Sequence, residues 1–512
     1  MIKQRAIFSI LLTSVCSVVS ASTDDVPAAG KRVVSYEDFG ARADGETDDF
    51  QAIVKAHAYA NQHGLPVKAK DGGVYYIGGR DLTAFIQTDT DFGTATFIID
   101  DRELENIKAH VFSVQSKYEP YSLSSIHTLK RNQERIDASL AEPALIRVEN
   151  SRVKHFIRKG GNQNAGSPQL DVFLVDAEGN IDMSAPVIWD FEQITEATAY
   201  PIDEETLTIT GGVFKTVANQ AESKYNYHQR NLAIRRSNVV VERMEHHVTD
   251  EGKQGAPYGG FFNIANSSNV TIKNCKVSGR KAYRTIGSAG KPVSMGSYDI
   301  LVNNSIDVSF INCKQINDIH NKKLWGLMAS NYSKNLLLDG CSFSRFDAHK
   351  GVTHATIRNS TLGHMGCKVI GGGKLTLENT KIYAREFISL RPDYGSNWQG
   401  EFVIRSCHFY PKGKNINLVF GRNLMDHDFG YPCSMPERIT IDGLHIHDSK
   451  GAEPVIFADF NPTYGDADES GPYPYAVTRE VALKNVTTES GNSLKISKNA
   501  AMFKDVRMVS LD

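Results

Sequence analysis

Ten segments between residues 207 and 488 repeat one pattern, apolar-x-apolar-x-Asn/Gly-small-x-apolar, and a repeat of that kind admits very few folds. The copies begin at Leu207, Val239, Val270, Val308, Leu336, Ala355, Leu375, Phe402, Ile439 and Val481. Alternation of this kind buries one face of a strand. The fifth position, most often Asn or Gly, suits a bend, because both residues tolerate a left-handed backbone. No single copy can bury its apolar face alone, so the copies must stack as coils around a continuous core. Intervals between fifth positions fall from 42 residues to 19 and 20, close to one bare coil, so the longer intervals carry loops. Cys275, Cys313, Cys341 and Cys407 share one place in the repeat. A stack of small inward side chains accounts for them, with disulfides between neighbours as the alternative. Cys367 and Cys433 lie off that ladder.

Upstream of the repeat, Val34–Ala41 leads through Asp44-Gly45-Glu46-Thr47-Asp48-Asp49 into helically spaced Ile53, Ala56, His57 and Ala60, and then a strand at Gly73–Ile77. Thr47 or Asp48 can cap that helix, and carboxylates near its first turn suit its dipole. This opening, DFGARADGETDDFQAI followed by a Gly-Val-Tyr-Tyr strand, resembles the N-terminal cap of the pectate-lyase-like right-handed parallel β-helix superfamily. The resemblance covers roughly residues 34–80 and implies an all-β solenoid with a small helix/strand cap. It does not specify an activity, since polysaccharide lyases, polygalacturonases and phage tailspikes share the superfamily. The expected organisation is an export segment at 1–21, a lead and cap at 22–85, and a β-helix with loop insertions at 86–512. Strand-like runs at Ala95–Ile99, Ala144–Val148, Val172–Val175 and Val187–Trp189 read as early coils, with an excursion at Ser116–Glu142.

The net charge of −2 gives no global field toward nucleic acid or an anionic membrane. Lys3 and Arg5, the apolar run Ala6–Val19 and Val19-Ser20-Ala21 form an export signal, so a secreted or periplasmic protein is expected. Cys16 follows a poor match for lipid attachment. No later run is long and apolar enough to span a membrane.

In a solenoid, chemistry sits on exposed faces and insertions. The tightest coils, between 340 and 379, lie between loop-bearing ones, which makes a trough. From Asp339 to Trp398 the chain carries eight Lys/Arg, three His and five Asp/Glu, a local positive bias. Arg345 and His364 stand five residues beyond their fifth positions and Arg385 six; His320, His349 and Tyr283 stand eight or nine beyond, so several should stack on neighbouring coils. Arg391 and Trp325 both precede the next fifth position by fifteen, which places them on one face. Such a trough suits an anionic polysaccharide. β-Elimination from a uronate needs a cation for the carboxylate, a base for the C5 proton and an acid for the leaving oxygen. Arginine supplies bidentate recognition, histidine a base near neutrality, and tyrosine an acid.

The expected assignment is His349 as base and Arg345 and Arg391 on the carboxylate, with His320, His364 and Tyr394 in reserve as acid or base. Trp325 and Trp398 are candidates for stacking on sugars; Asp347, His354, Arg385 and Tyr283 complete the binding set. Each histidine taken singly fits an ordinary turn residue better than a catalyst; the clustering carries the reading. Asp347-x-His349 with His354 matches no standard zinc spacing, so no metal ligand is assigned. Calcium on loop carboxylates, which the resemblance implies for some relatives, stays open as a cofactor. The expected function is a lyase acting on a uronate-containing polysaccharide, first a glycosaminoglycan such as chondroitin or dermatan sulfate. Two alternatives stay open: a glycoside hydrolase of the same fold, and a non-catalytic carbohydrate-binding or adhesin module. The Asn-Thr-Asp, Asp-Asp and Gly-His-Gly elements of the hydrolases are missing from the repeat region.

Overall fold

The computed structural model describes residues 32–221, 227–252, 258–413, 415–461 and 473–511; the expected export segment and Cys16 lie outside them. Each repeat copy turns one corner of a three-sided solenoid. The first half of each copy pairs in parallel with the next, Val239 with Val270 and Val270 with Val308. The second half builds another parallel ladder, as in Cys407 with Leu444 and Leu444 with Val486. A third ladder comes from the segments between copies, through Leu232–Arg235, Gly259–Ala265, Tyr298–Asn303, Met328–Asn331 and the middles of Ser342–Arg358 and Thr361–Glu378. Together the three sheets surround one apolar core from Val34 to Val506.

The fifth position explains the corner. All ten residues there have positive φ, from 43° at Asn379 to 86° at Gly443. Arg243 and Ser406 adopt the same conformation at 55° and 50° without being Asn or Gly. Position in the repeat therefore overrides residue preference at those two sites. All six described cysteines are buried free thiols, which supports the inward stack and excludes disulfides among them in this structure.

At the N-terminus, helix α1 (Phe50–His63) presents Phe50, Ile53, Ala56, His57 and Ala60 to the same core and ends at Gly64, in the left-handed region at φ 64°.

Residues 81–200 depart from the expectation of early coils. Coils form at Ala84–Ile86, Thr90–Asp100 and Phe112–Gln115. The chain then leaves the solenoid and builds an antiparallel sheet from Tyr121–Ser122, Glu196–Pro201, Ala144–His155 and Ser167–Val175, in that order. Ile146, Val148, Phe173, Val187, Phe191 and Ala199 give this insert its own apolar core. The excursion thus extends well past Glu142, and the runs at Ala144, Val172 and Val187 are not coils. Alternating apolar residues look the same in either sheet type, which is why the runs could not be told apart from coils.

The insert lies over the outer face of the third sheet. Lys334, at a solenoid corner, donates to Asp171 Oδ1 at 2.8 Å with both side chains almost wholly buried. Phe156 of the insert packs against Tyr332, Tyr394 and Tyr431 of the solenoid.

Candidate functional site

Along the third sheet, Phe346 and Ala348 point into the core, so Arg345, Asp347 and His349 must point outward. The outward face would be wet on a bare coil. Here the insert roofs it, and Arg345 and Asp347 are 2% and 0% exposed. Charges in such a place need partners. Arg391 Nη1 donates to both oxygens of Asp347 at 3.1 Å each, and Arg345 Nη2 reaches Asp347 Oδ2 at 3.1 Å. Arg391 Nη2 continues to Asp393 Oδ2 at 3.0 Å. From the roof, Arg158 donates to the same oxygen through Nε at 2.8 Å and Nη2 at 2.7 Å. One chain of charges therefore joins floor to roof.

Between them lies a cavity of about 700 Å³. Arg158, Arg345, Lys350, Lys368 and Arg391 line it, with His349, Tyr298, Tyr394 and Trp325; no carboxylate is among its described lining residues. Asp347 and Asp393 sit behind the guanidiniums. Trp325 and Tyr298 flank the Arg345 guanidinium, at 5.4 and 5.2 Å from their ring centroids. Several donors remain without partners in this buried setting: Nε of Arg345, Nε of Arg391 and the Trp325 indole N–H. Buried donors of that kind call for a ligand or water.

The cations set the acid–base character. Burial, then Arg391 and Lys350, hold His349 well below its ordinary range, so it stays neutral; its Nδ1 lies 2.9 Å from the Asn331 side-chain oxygen, which can only accept. Lys350 is lowered by burial and then by Arg158 and Arg391, and its amine donates to Ser167 Oγ at 3.1 Å. Lys368 is brought from 10.5 to about 8, by burial first and then by Arg345 and Arg391. Its amine makes no hydrogen bond or ion pair with the described residues. Burial pushes Tyr394 up to about 12, which keeps its phenol protonated. Burial alone would raise Asp393, but Arg391 and Arg158 outweigh it and hold the carboxyl below its usual value.

Of the expected residues, His349, Arg345, Arg391, Tyr394 and Trp325 line the cavity and Asp347 anchors it. Others lie elsewhere. His364 points both ring nitrogens at backbone carbonyls, Ile319 O at 3.0 Å and Leu324 O at 3.1 Å, and fastens a loop. The expected stack of Arg345 on His364 fails because a bulge after Phe343 sets Arg345 opposite Gly366. His320 is exposed, with its ring against Tyr383. Arg385 is 78% exposed and pairs with Glu386 at 3.6 Å. Trp398 is wholly buried in the solenoid core and donates to Gly373 O at 3.0 Å, so it offers no sugar a face. His354 has φ 57° at the corner between third and first sheets, the place Asn335 takes one coil earlier, and its Nδ1 accepts from the Lys374 N–H. Tyr283 is buried on a hairpin, paired with Met295, which does line the cavity.

Lys368 and Arg158 were missed. Lys368 lies nine residues past Asn359, as His349 does past Gly340, but the bulge sets it opposite Asp347, so equal offset alone did not place it. Arg158 had no such signal, because it meets Asp393 across 235 residues.

No family model matches the sequence, and no curated protein does. Solved structures do match. The gp54 tailspike of Acinetobacter baumannii bacteriophage AP22, in complex with A. baumannii capsular saccharide, superposes with a TM-score of 0.54 at 9% identity, over 93% of this chain and 79% of that one. The fold is the parallel β-helix. Two further matches are the tailspike gp49 from Pseudomonas phage LKA1 and an endo-xylogalacturonan hydrolase from Aspergillus tubingensis. The first has a TM-score of 0.49 at 14% identity, over 93% of this chain and 84% of that one. The second has a TM-score of 0.37 at 11% identity, over 94% and 99%. Within this β-helix the candidate site occupies the outer face of the third sheet beneath the insert.

Calcium fits poorly there. Asp347 receives hydrogen bonds from two guanidiniums and Asp393 from two, so neither offers a hard cation a free face, and the lining is otherwise cationic. With His354 at a corner, the Asp347, His349 and His354 set does not assemble either.

Proposed function

We propose that this β-helix is a polysaccharide lyase that binds a uronate-containing chain in the roofed trough and cleaves it by β-elimination. The observation that carries the reading is the lining itself: among the described residues, five cations and no carboxylate around a cavity whose buried donors lack partners. A uronate carboxylate would lie against Arg345 and Arg391, whose free Nε–H groups supply the donors. Drawing charge onto that carboxylate acidifies the C5 proton.

Lys368 and His349 both border the cavity as candidate bases. The better match is Lys368, since an amine near 8 is partly neutral under mild conditions yet basic enough to take a proton. Burial and the neighbouring cations make His349 a weaker base than an ordinary histidine, which suits it to hydrogen-bond the sugar. The protonated phenol of Tyr394 can return a proton to the leaving oxygen. The atoms balance: the C5 proton goes to the base, the C4–O bond breaks, a C4–C5 double bond forms and the departing oxygen gains a proton.

Five cations exceed what one carboxylate requires, which favours a sulfated glycosaminoglycan over alginate or pectate. A paired-carboxylate hydrolase is disfavoured, because Asp347 and Asp393 are both committed to guanidiniums and neither faces the cavity.

The test is incubation with chondroitin sulfate, dermatan sulfate, alginate and pectate while following the ultraviolet absorbance of the unsaturated uronate. Absorbance growing with at least one polymer is the expected result. New reducing ends without absorbance would replace the lyase with a hydrolase, and neither signal would leave a binding module.

A further inference from the structure

On the second sheet, away from the trough, two columns of side chains run outward across the last coils. One is Tyr383, Tyr410, His447 and Glu489; the other is Lys381, His408, His445 and Thr487, with His408 opposite His445 and His445 opposite Thr487. His445, His447 and Glu489 bring one donor atom each to within 4.8 Å of one another. His447 Nδ1 lies 2.8 Å from Glu489 Oε1, and His445 Nε2 lies 3.8 Å from the same atom. Bonds of about 2.0 Å at tetrahedral angles put neighbouring donors about 3.3 Å apart, so these spacings bracket what a metal needs.

The second set of contacts decides which lone pairs converge. His445 Nδ1 sits 2.7 Å from Thr487 Oγ1, and His447 Nε2 sits 3.1 Å from His408 Nδ1. When each of those nitrogens carries its proton outward, His445 Nε2 and His447 Nδ1 present lone pairs toward the Glu489 carboxylate. Three lone pairs then face one point, where a cation would satisfy them together; the other His447 tautomer donates from Nδ1 to Glu489 instead. The His447 ring is also held in plane by stacking on Tyr410, 3.9 Å away at 7°. Outer hydrogen bonds of this sort set ligand orientation in metal sites.

We propose that His445, His447 and Glu489 form a binding site for a divalent d-block ion such as Zn²⁺. Two imidazoles and one carboxylate suit that class and not the all-oxygen preference of calcium or magnesium. The ion would join the coil at Arg438–Ile446 to the coil at Glu480–Thr488, near the C-terminal end of the stack. Its remaining positions face solvent, since Glu489 is half-exposed. None of its ligands lines the trough, so the site clamps coils and stands apart from catalysis.

The experiment uses the full chain without a histidine tag, stripped with chelator and titrated with ZnCl₂ by calorimetry, with Co²⁺ absorption as a spectroscopic reporter. One equivalent of Zn²⁺ should bind, raise the melting temperature and give Co²⁺ visible bands, and CaCl₂ should not compete. His447→Ala and Glu489→Gln should abolish that equivalent; His408→Ala should weaken it about 10- to 100-fold. Circular dichroism and metal-free melting of the variants establish that they fold. No stoichiometric uptake by the parent chain, or uptake unchanged in a His445→Ala/His447→Ala double variant, would overturn the site and leave a hydrogen-bonded ion pair.

Discussion

Replacing Lys368 by methionine removes a cation that the trough holds against its own interest. The amine has moved from 10.5 to about 8, and each unit is about 1.4 kcal/mol, so the charged form bears up to about 3 kcal/mol in the folded chain. The amine is partly open to water in the trough, which cuts the expected gain for Lys368→Met to about 1–2 kcal/mol at pH 7. The gain depends on pH in a definite direction. Below pH 8 the lysine is protonated in both states and the folded chain carries the full penalty. Between 8 and 10.5 the folded amine is neutral while the unfolded one keeps its proton, so the parent chain gains stability with rising pH and the variant's advantage disappears. Urea denaturation at pH 6.5 and 9.5 reads this directly. Product formation should follow the same deprotonation: kcat/KM of the parent rises about tenfold per pH unit below 8 and levels off above it, and Lys368→Met loses turnover despite its higher stability. A variant that is no more stable at pH 6.5 would refute the buried-cation reasoning. A stabilised variant with activity intact would refute only the base.

Asp347→Asn should leave the Arg345 and Arg391 guanidiniums apposed and buried, lowering stability by about 3–5 kcal/mol; an unchanged denaturation midpoint would contradict the network. Lys334→Ala strands Asp171 beneath the roof at a similar cost, and limited proteolysis should then cut within the insert before the solenoid. A Lys334→Met/Asp171→Leu pair should recover most of that loss. Raising ionic strength should raise KM for an anionic polymer, because the trough attracts it through screened charge, while the denaturation midpoint moves little; a KM indifferent to salt would argue against the cationic lining as the recognition element.

How far the sequence could carry these conclusions depends on the range of each interaction. The coils were legible because their cause is local: an alternation that buries one face and a fifth residue that turns the corner. The rule even extended to Arg243 and Ser406, where the residue type alone gave no hint. Arg345, His349, Arg391 and Trp325 could be singled out from their place on the coils, and the structure brings all four to the cavity. His364 was misplaced by a local bulge, which moves the partners of Arg345 to Ala348 by two residues before the register returns at Val352. Trp398 and His354 were misjudged because an aromatic or a histidine at a bend looks functional until its burial or backbone angle is known. The insert was the largest miss. Nothing along residues 116–203 states that its sheet will fold back over a surface built two hundred residues later, and Arg158 could be found only from contact.

That separation has a consequence for the living chain. The roof is synthesised first, and its Arg158 waits for Asp393, 235 residues downstream. Solenoids grow coil upon coil, so the cationic floor is laid down only as Arg345, Lys368 and finally Arg391 join the stack. A nascent or truncated chain ending before Arg391 would carry a folded lid over an unfinished basin. The proposed activity would thus depend on completion of the C-terminal half, because a chain ending before Arg391 lacks the guanidinium that joins Asp347 to Asp393.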